Sequence, residues 1–336
     1  MRSTLAILEP FRYSKGMNSN KLSRRGALER TGLLVGGAVL GQNVGVTKAS
    51  AKPAPSGTER PFLYCLNTAT VRGQKLGIVK EIEVAAQAGY DAIEPWIDSI
   101  TDYVKNGGTL PDLKKRISDS GLTVEDAIAF SEWIVDDEAR RAKGMERAKR
   151  EMDMVAQIGG RRIAAPPAGA TNVPKLDLMQ AAERYRALLD AGQQLGVVPH
   201  LELWGFSKNL NRLGECVCVA METGHRSACV LADVFHLHKG GSELAGINLL
   251  GAGTIQVLHM NDYPAEPPPE KIDDSFRVYP GDGTAPVADI LRALHEIGGQ
   301  KVLSLELFNR KYWSEDALTV AKTGLAKMKA VVKSLL

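Results

Sequence analysis

Histidine is scarce in this chain, six in 336 residues, and cysteine is scarcer at four. The thiols at 65, 216, 218 and 229 form neither a C-x-x-C pair nor a dense framework, so they read as core or helix residues rather than as a disulfide scaffold. No apolar run reaches the ~20 residues that a membrane span requires. The longest candidate, GLLVGGAVLG at 32–41, is interrupted by Gln42 and Asn43. A broad basic surface is missing too. The formal net charge is +3, but the first 51 residues hold eight Lys/Arg against two Asp/Glu, which leaves the remainder at −3. A mildly acidic body argues against a nucleic-acid partner.

Those first 51 residues have the composition of a targeting segment. Ser23-Arg24-Arg25 precedes the weak apolar stretch, and Ala49-Ser50-Ala51 supplies a small-residue cleavage pattern. A twin arginine before such a stretch resembles a Tat signal peptide over 1–51. Its implications are export to the periplasm, the Tat export machinery as partner of the precursor, and no stable membrane anchor. No cysteine follows the stretch until Cys65, which argues against a lipid-anchored form, and Met17 is an alternative start. Residues 52–60 read as a linker, from the composition of KPAPSGTERP at 52–61.

From residue 61 onward, short apolar runs alternate with longer amphipathic stretches. Eight runs have strand character: 62–70, 90–97, 122–130, 161–167, 197–204, 228–235, 255–262 and 301–308. Helical patterns cover 77–89, 138–158, 175–195, 285–298 and 316–335. AQAGYDAIE and LHEIGGQKVLSLE show the recurring junction, a helix ending at glycine with a buried strand two to four residues on. Eight such units predict an α/β fold, a single (β/α)8 TIM barrel over 61–336. The rival, a doubly wound open sheet, calls for a phosphate-binding glycine loop after the first strand, and TATVRGQKLG is a poor one. The irregular segment 263–283, with its proline run, reads as a rim loop.

Barrel sites lie at the C-terminal ends of the strands. Glu202 follows VVPHL, Asp233 follows ACVLA, His259 follows IQVL and Glu306 follows KVLSL. By alternation Asp233 shares a face with Leu231, His259 with Val257, and Glu306 with Ser304 and Val302, faces that point inward. Three carboxylates and an imidazole at one barrel mouth would repel and desolvate one another without a cation between them. Two Glu, one Asp and one His suit one divalent ion, with manganese, magnesium or cobalt favoured and zinc also able to bind. The bland alternative is an internal salt-bridge network, for which the strand ends offer few basic partners. Trp96 and Trp204, near strand ends, offer apolar faces on which a ligand could stack, or simply pack at the rim. Glu94 is a further candidate for the cavity, although Pro95 obscures its direction. His238 reads as an exposed loop residue and His200 as a hydrogen-bonded core residue.

The set HLELWG, LADVFH, VLHMND, RVYPGDG and LSLELF, in that order, resembles the xylose isomerase-like TIM barrels. That superfamily includes sugar epimerases, hydroxypyruvate isomerase, inosose dehydratase and endonuclease IV. The resemblance implies that Glu202, Asp233, His259 and Glu306 are metal ligands, and that His236 and Arg277 bind substrate. It further implies a metal-dependent isomerase or epimerase of a small carbohydrate, working through an enediolate with Glu202 and Glu306 as acid and base. Loss of a β-hydroxyl from the same intermediate would make the enzyme a lyase or dehydratase, and an exported carbohydrate-binding barrel without turnover is the non-enzymatic alternative. Members of the superfamily commonly associate, so a homo-oligomer is a further expectation. An abasic-site nuclease fits less well, because Ser275-Phe276-Arg277 stands where endonuclease IV carries Asp-x-His.

Overall fold

The computed structural model describes residues 60–335, so the expected signal peptide, and the expected linker apart from Arg60, lie outside the described residues. Each of the eight apolar runs contains one strand: β1 (Phe62–Asn67), β2 (Ala92–Glu94), β3 (Thr123–Val124), β4 (Arg162–Ala165), β5 (Val198–Glu202), β6 (Val230–Asp233), β7 (Ile255–Met260) and β8 (Lys301–Leu305). All ladders are parallel, in the order β3-β2-β1-β8-β7-β6-β5-β4. The first strand pairs with the last, a closure that a doubly wound open sheet lacks. The remaining seam, between β3 and β4, is joined where the Ala164 amide donates to the Ala127 carbonyl at 2.8 Å. The fold is a (β/α)8 barrel.

Around it run α1 (Ile78–Ala88), α2 (Ile97–Lys105), α3 (Leu110–Asp119), α4 (Glu138–Gln157), α5 (Leu178–Leu195), α6 (Leu213–Glu222), α7 (Val234–Lys239), α8 (Val287–Glu296) and α9 (Ala317–Lys333). The helix-to-strand junctions work as the sequence predicts. Gly89 after α1 and Gly196 after α5 take the left-handed conformation, with φ of 91° and 73°, that ends a helix without a Cβ penalty.

Alternation along the strands builds two apolar cores. Cys65, Ala92, Ile128, Ala164, Leu231, Val257 and Val302 fill the barrel interior, while their neighbours Leu66, Ile93, Val230, Ala232, Leu258 and Leu303 face the helical jacket. Leu231, Val257 and Val302 thus take the inward direction assigned to them from sequence.

Several strands stop short of their apolar runs because a polar residue ends them. The Asn67 side chain accepts from the Ala69 amide at 2.9 Å and turns the chain into a 3-10 helix, Thr68–Gln74. Asp233 accepts from the His236 amide at 3.0 Å and starts α7, so the run at 228–235 is part strand and part helix. Among the described residues, no helix is long and apolar enough to cross a membrane.

Candidate metal centre

The C-terminal ends of β6, β7 and β8 converge. Ligand atoms from Asp233, His259 and Glu306 all lie within 4.8 Å of one another, and all three residues are buried. His259 Nδ1 stands 3.1 Å from Glu306 Oε2 and 3.5 Å from Asp233 Oδ2. Glu202, expected as a fourth ligand, is not part of this trio. It lines the same cavity as Glu306, and its Oε2 is buried without a hydrogen-bond partner. Burial pushes the Glu202 carboxyl up to about 8, with the Glu306 charge adding to the shift and His259 opposing it.

Arg277 corrects one expectation. The strand ends supply few basic partners, yet a guanidinium reaches the trio from the rim loop. Its Nη1 donates to Asp233 Oδ2 at 2.6 Å and to Glu306 Oε2 at 2.8 Å, and its Nη2 donates to Asp274 Oδ1 at 2.6 Å. Burial alone would raise the Asp233 carboxyl, but Arg277 beside it holds it well below the usual carboxylate range. The loop is fixed by Asp262, whose carboxylate accepts four backbone amides: Tyr263 and Ala285 on one oxygen, Gly281 and Gly283 on the other, at 2.8–3.1 Å. A Cβ at Gly283 would lie 2.2 Å from the Tyr263 carbonyl oxygen, which explains why glycine ends R-x-x-P-G-D-G.

His236 sits in the first turn of α7, 3 % exposed, with Nε2 3.2 Å from Arg277 Nη2 and Nδ1 unpartnered. His238 is no free loop residue, since its ring stacks on Tyr263 with centroids 3.9 Å apart. His200 is buried as expected but has a hydrogen-bond partner on neither ring nitrogen.

A divalent ion fits this donor set. His259 Nε2 is 2.9 Å from Glu94 Oε1, which leaves Nδ1 buried, unpartnered and facing two carboxylates. Burial lowers the proton affinity of His259, but the charges of Glu306 and Glu94 raise it well above the ordinary value. The position between Nδ1 and the two carboxylates therefore calls for positive charge, part of which the Arg277 guanidinium supplies on the same two oxygens.

Above the cluster opens a cavity of about 250 Å³ lined by Glu202, Glu306, His236, Asp274, Arg277, Ile128 and five aromatic rings. Trp96 and Trp204 are among those rings, as expected. Phe130, Phe206 and Phe308 complete the wall. Phe206 and Phe308 each follow a named residue by two positions, an alternation signal that could have found them; Phe130 has no such signal. The Trp204 and Phe206 rings stack at 5.1 Å, and Trp96 lies 5.2 Å from Phe130.

The sequence profile of the family described as "Xylose isomerase-like TIM barrel" matches residues 82–331. An inosose isomerase of Bacillus velezensis is 26% identical over 80% of this chain and 96% of its own length. A 3-dehydroshikimate dehydratase of Pseudomonas aeruginosa is 24% identical over 74% of this chain and 39% of its own length. Among solved structures, the IOLI protein with a bound zinc atom superposes with a TM-score of 0.75 and 23% identity, over 82% of this chain and 99% of that one. The named relatives are enzymes, and the structural likeness confirms the fold.

Proposed function

Because the chain belongs to the xylose isomerase-like TIM barrel family, we propose that it is a divalent-metal-dependent isomerase or epimerase of a small, unphosphorylated carbohydrate. The observation that carries this reading is a buried carboxyl, Glu202, with an unpartnered oxygen, sharing one small cavity with Glu306, itself a member of the buried trio Asp233, His259 and Glu306. The trio would hold the ion, and a divalent ion there would polarise a carbonyl and its neighbouring hydroxyl, so that the C–H between them is acidified.

The protein's own part is proton transfer. Glu202 has no internal partner on Oε2 and is free to exchange a proton with the substrate. Glu306 is tethered, accepting from Asn67 Nδ2 at 3.1 Å and from Arg277 Nη1 at 2.8 Å, and faces the cavity as the second carboxylate of the pair. Removal of a proton by one and return by the other would epimerise or isomerise the substrate. His236, with Nδ1 unpartnered, borders the same space as a donor to substrate oxygens, Arg277 holds the carboxylates beside it, and the aromatic wall excludes water and offers apolar faces to a sugar. Among the described residues Arg277 is the one Lys or Arg on that wall, and its donors are already engaged, which disfavours a phosphorylated substrate. The kinship to inosose isomerase supports the same reaction class.

The kinship to a dehydratase supports a second outcome from this site, loss of water from a keto-sugar or polyol. Metal analysis of the purified protein, followed by deuterium wash-in over keto- and aldo-sugars, tests both. The expected result is one divalent ion per chain and exchange at a carbon next to a carbonyl; conserved product mass assigns an isomerase and loss of water a dehydratase. A protein that takes up no divalent ion, or a Glu306→Gln variant that exchanges at the parent rate, sinks the reading. The twin-arginine segment supports the further proposal that the enzyme is exported, testable by N-terminal sequencing of the periplasmic form.

A further inference from the structure

Glu94 is buried at the end of β2, across the barrel from β7, and touches none of the cavity. Both of its oxygens are nonetheless engaged. Oε1 lies 2.9 Å from His259 Nε2. Oε2 accepts from Asn67 Nδ2 at 2.9 Å and from the Ser304 hydroxyl. Asn67 Nδ2 also reaches Glu306 Oε1 at 3.1 Å, and Asn67 Oδ1 accepts from the Trp96 indole at 3.0 Å. One fully desolvated carboxylate thus fixes the ring of one candidate ligand and shares a donor with a second.

We infer that Glu94 is a positioning residue of the metal centre: by accepting the Nε2 proton of His259 it presents the Nδ1 lone pair to the ion. The inference rests on the metal reading above. A neutral imidazole carries its proton on either nitrogen, and only the Nε2–H tautomer leaves Nδ1 free to ligate. In this structure the side chain within hydrogen-bond distance of Nε2 is a carboxylate, which has no proton to give when ionised and therefore selects that tautomer. A merely structural role, closing β2 onto β7, would need the hydrogen bond but not this polarity.

An amide separates the two roles. In Glu94→Gln the single oxygen can serve His259 only if the NH2 is turned toward Asn67 Nδ2, a donor against a donor. In the other orientation the NH2 faces His259 Nε2 and favours the Nδ1–H tautomer, which blocks the ion. The test is calorimetric titration of the full chain, metal-free, with Zn2+ and with Mn2+, alongside 15N NMR of the histidines in the Zn2+ form. Expected are Glu94→Gln binding weakened by about 10- to 100-fold, Ser304→Ala, which leaves the His259 contact intact, weakened less than about five-fold, and parent His259 bound through Nδ1 with its proton on Nε2. Glu94→Gln binding within two-fold of the parent overturns the inference, as does an Nε2-bound His259 in the parent, a result that requires no variant to fold. If the parent binds neither ion, the metal reading itself falls. If the parent binds and Glu94→Gln is indifferent, only the positioning role falls.

Discussion

Replacing Asp262 by asparagine isolates the clamp that delivers Arg277. The carboxylate is 1 % exposed and accepts four backbone amides, two on each oxygen, at 2.8, 2.8, 2.9 and 3.1 Å. The amide side chain has nearly the same shape, yet it retains only one oxygen, so two of the four backbone amides must then face an NH2. Hydrogen bonds to a charged acceptor contribute about 1.5–3 kcal/mol each, and a buried donor left unsatisfied costs a comparable amount. A loss of about 3 kcal/mol is therefore the lower expectation, which for a domain of this size corresponds to a fall in Tm of roughly 5 °C. Gly283→Ala should act in the same direction while leaving the carboxylate intact, since its Cβ would come 2.2 Å from the Tyr263 backbone oxygen. Urea unfolding followed by circular dichroism reads the stability, and steady-state kinetics on the substrate found by wash-in reads the site. With Arg277 less firmly held, KM should rise in both variants. Should Asp262→Asn prove as stable as the parent within about 0.5 kcal/mol, the carboxylate does not organise the loop and the account of R-x-x-P-G-D-G is wrong.

Two further outcomes are expected. Glu81 on α1 is 4 % exposed with Oε2 unpartnered, and burial pushes its carboxyl from its ordinary 4.5 up to about 7 despite Arg72. A folded pKa above the unfolded one means that the protonated form contributes stability below about pH 4.5, which is lost as pH rises through 7, roughly 3 kcal/mol in all. Glu81→Gln should therefore gain on the parent progressively from pH 5 to pH 8 in urea titrations, and a difference that does not change with pH would refute the assignment. Trp204→Ala removes a ring stacked on Phe206 at the cavity wall, so KM should rise about ten-fold with kcat nearly unchanged. An equal fall in kcat and kcat/KM would place Trp204 in the proton-transfer step instead.

The fold is legible because most strands are apolar runs closed by a polar residue, β4 being closed by Pro166-Pro167 instead, and because the longer connecting helices are amphipathic; the short helices α2, α3, α6 and α7 fall outside the helical patterns read from sequence. The same local logic located Asp233, His259 and Glu306, each on the inward face two residues beyond an interior side chain such as Leu231, Val257 or Ser304. Helix starts were harder to see. Asn67 and Asp233 close their strands by capping the turns that follow, and a capping side chain inside an apolar run resembles a strand residue until its backbone partner is known. Arg277 was assigned to substrate by resemblance; that it also bridges two of the trio depends on a 21-residue loop folded over Asp262, which no local period encodes.

The layer beneath the trio was hidden for a reason specific to closed barrels. Ladder register pairs Ser304 with Cys65, and Cys65 with Ala92, yet the Ser304 hydroxyl reaches Glu94, two residues beyond Ala92. Strand tilt produces that offset: around a sheared barrel, side chains at one height come from residues that are out of register along the strands. Glu94 and His259 are 165 positions apart and belong to strands that share no ladder, so neither alternation nor neighbouring register brings them together. Only closure of the ring does. A change that alters strand tilt far from the mouth should then disturb the Glu94 to His259 contact before it disturbs any single strand, and the metal centre would register that change while the secondary structure stayed intact.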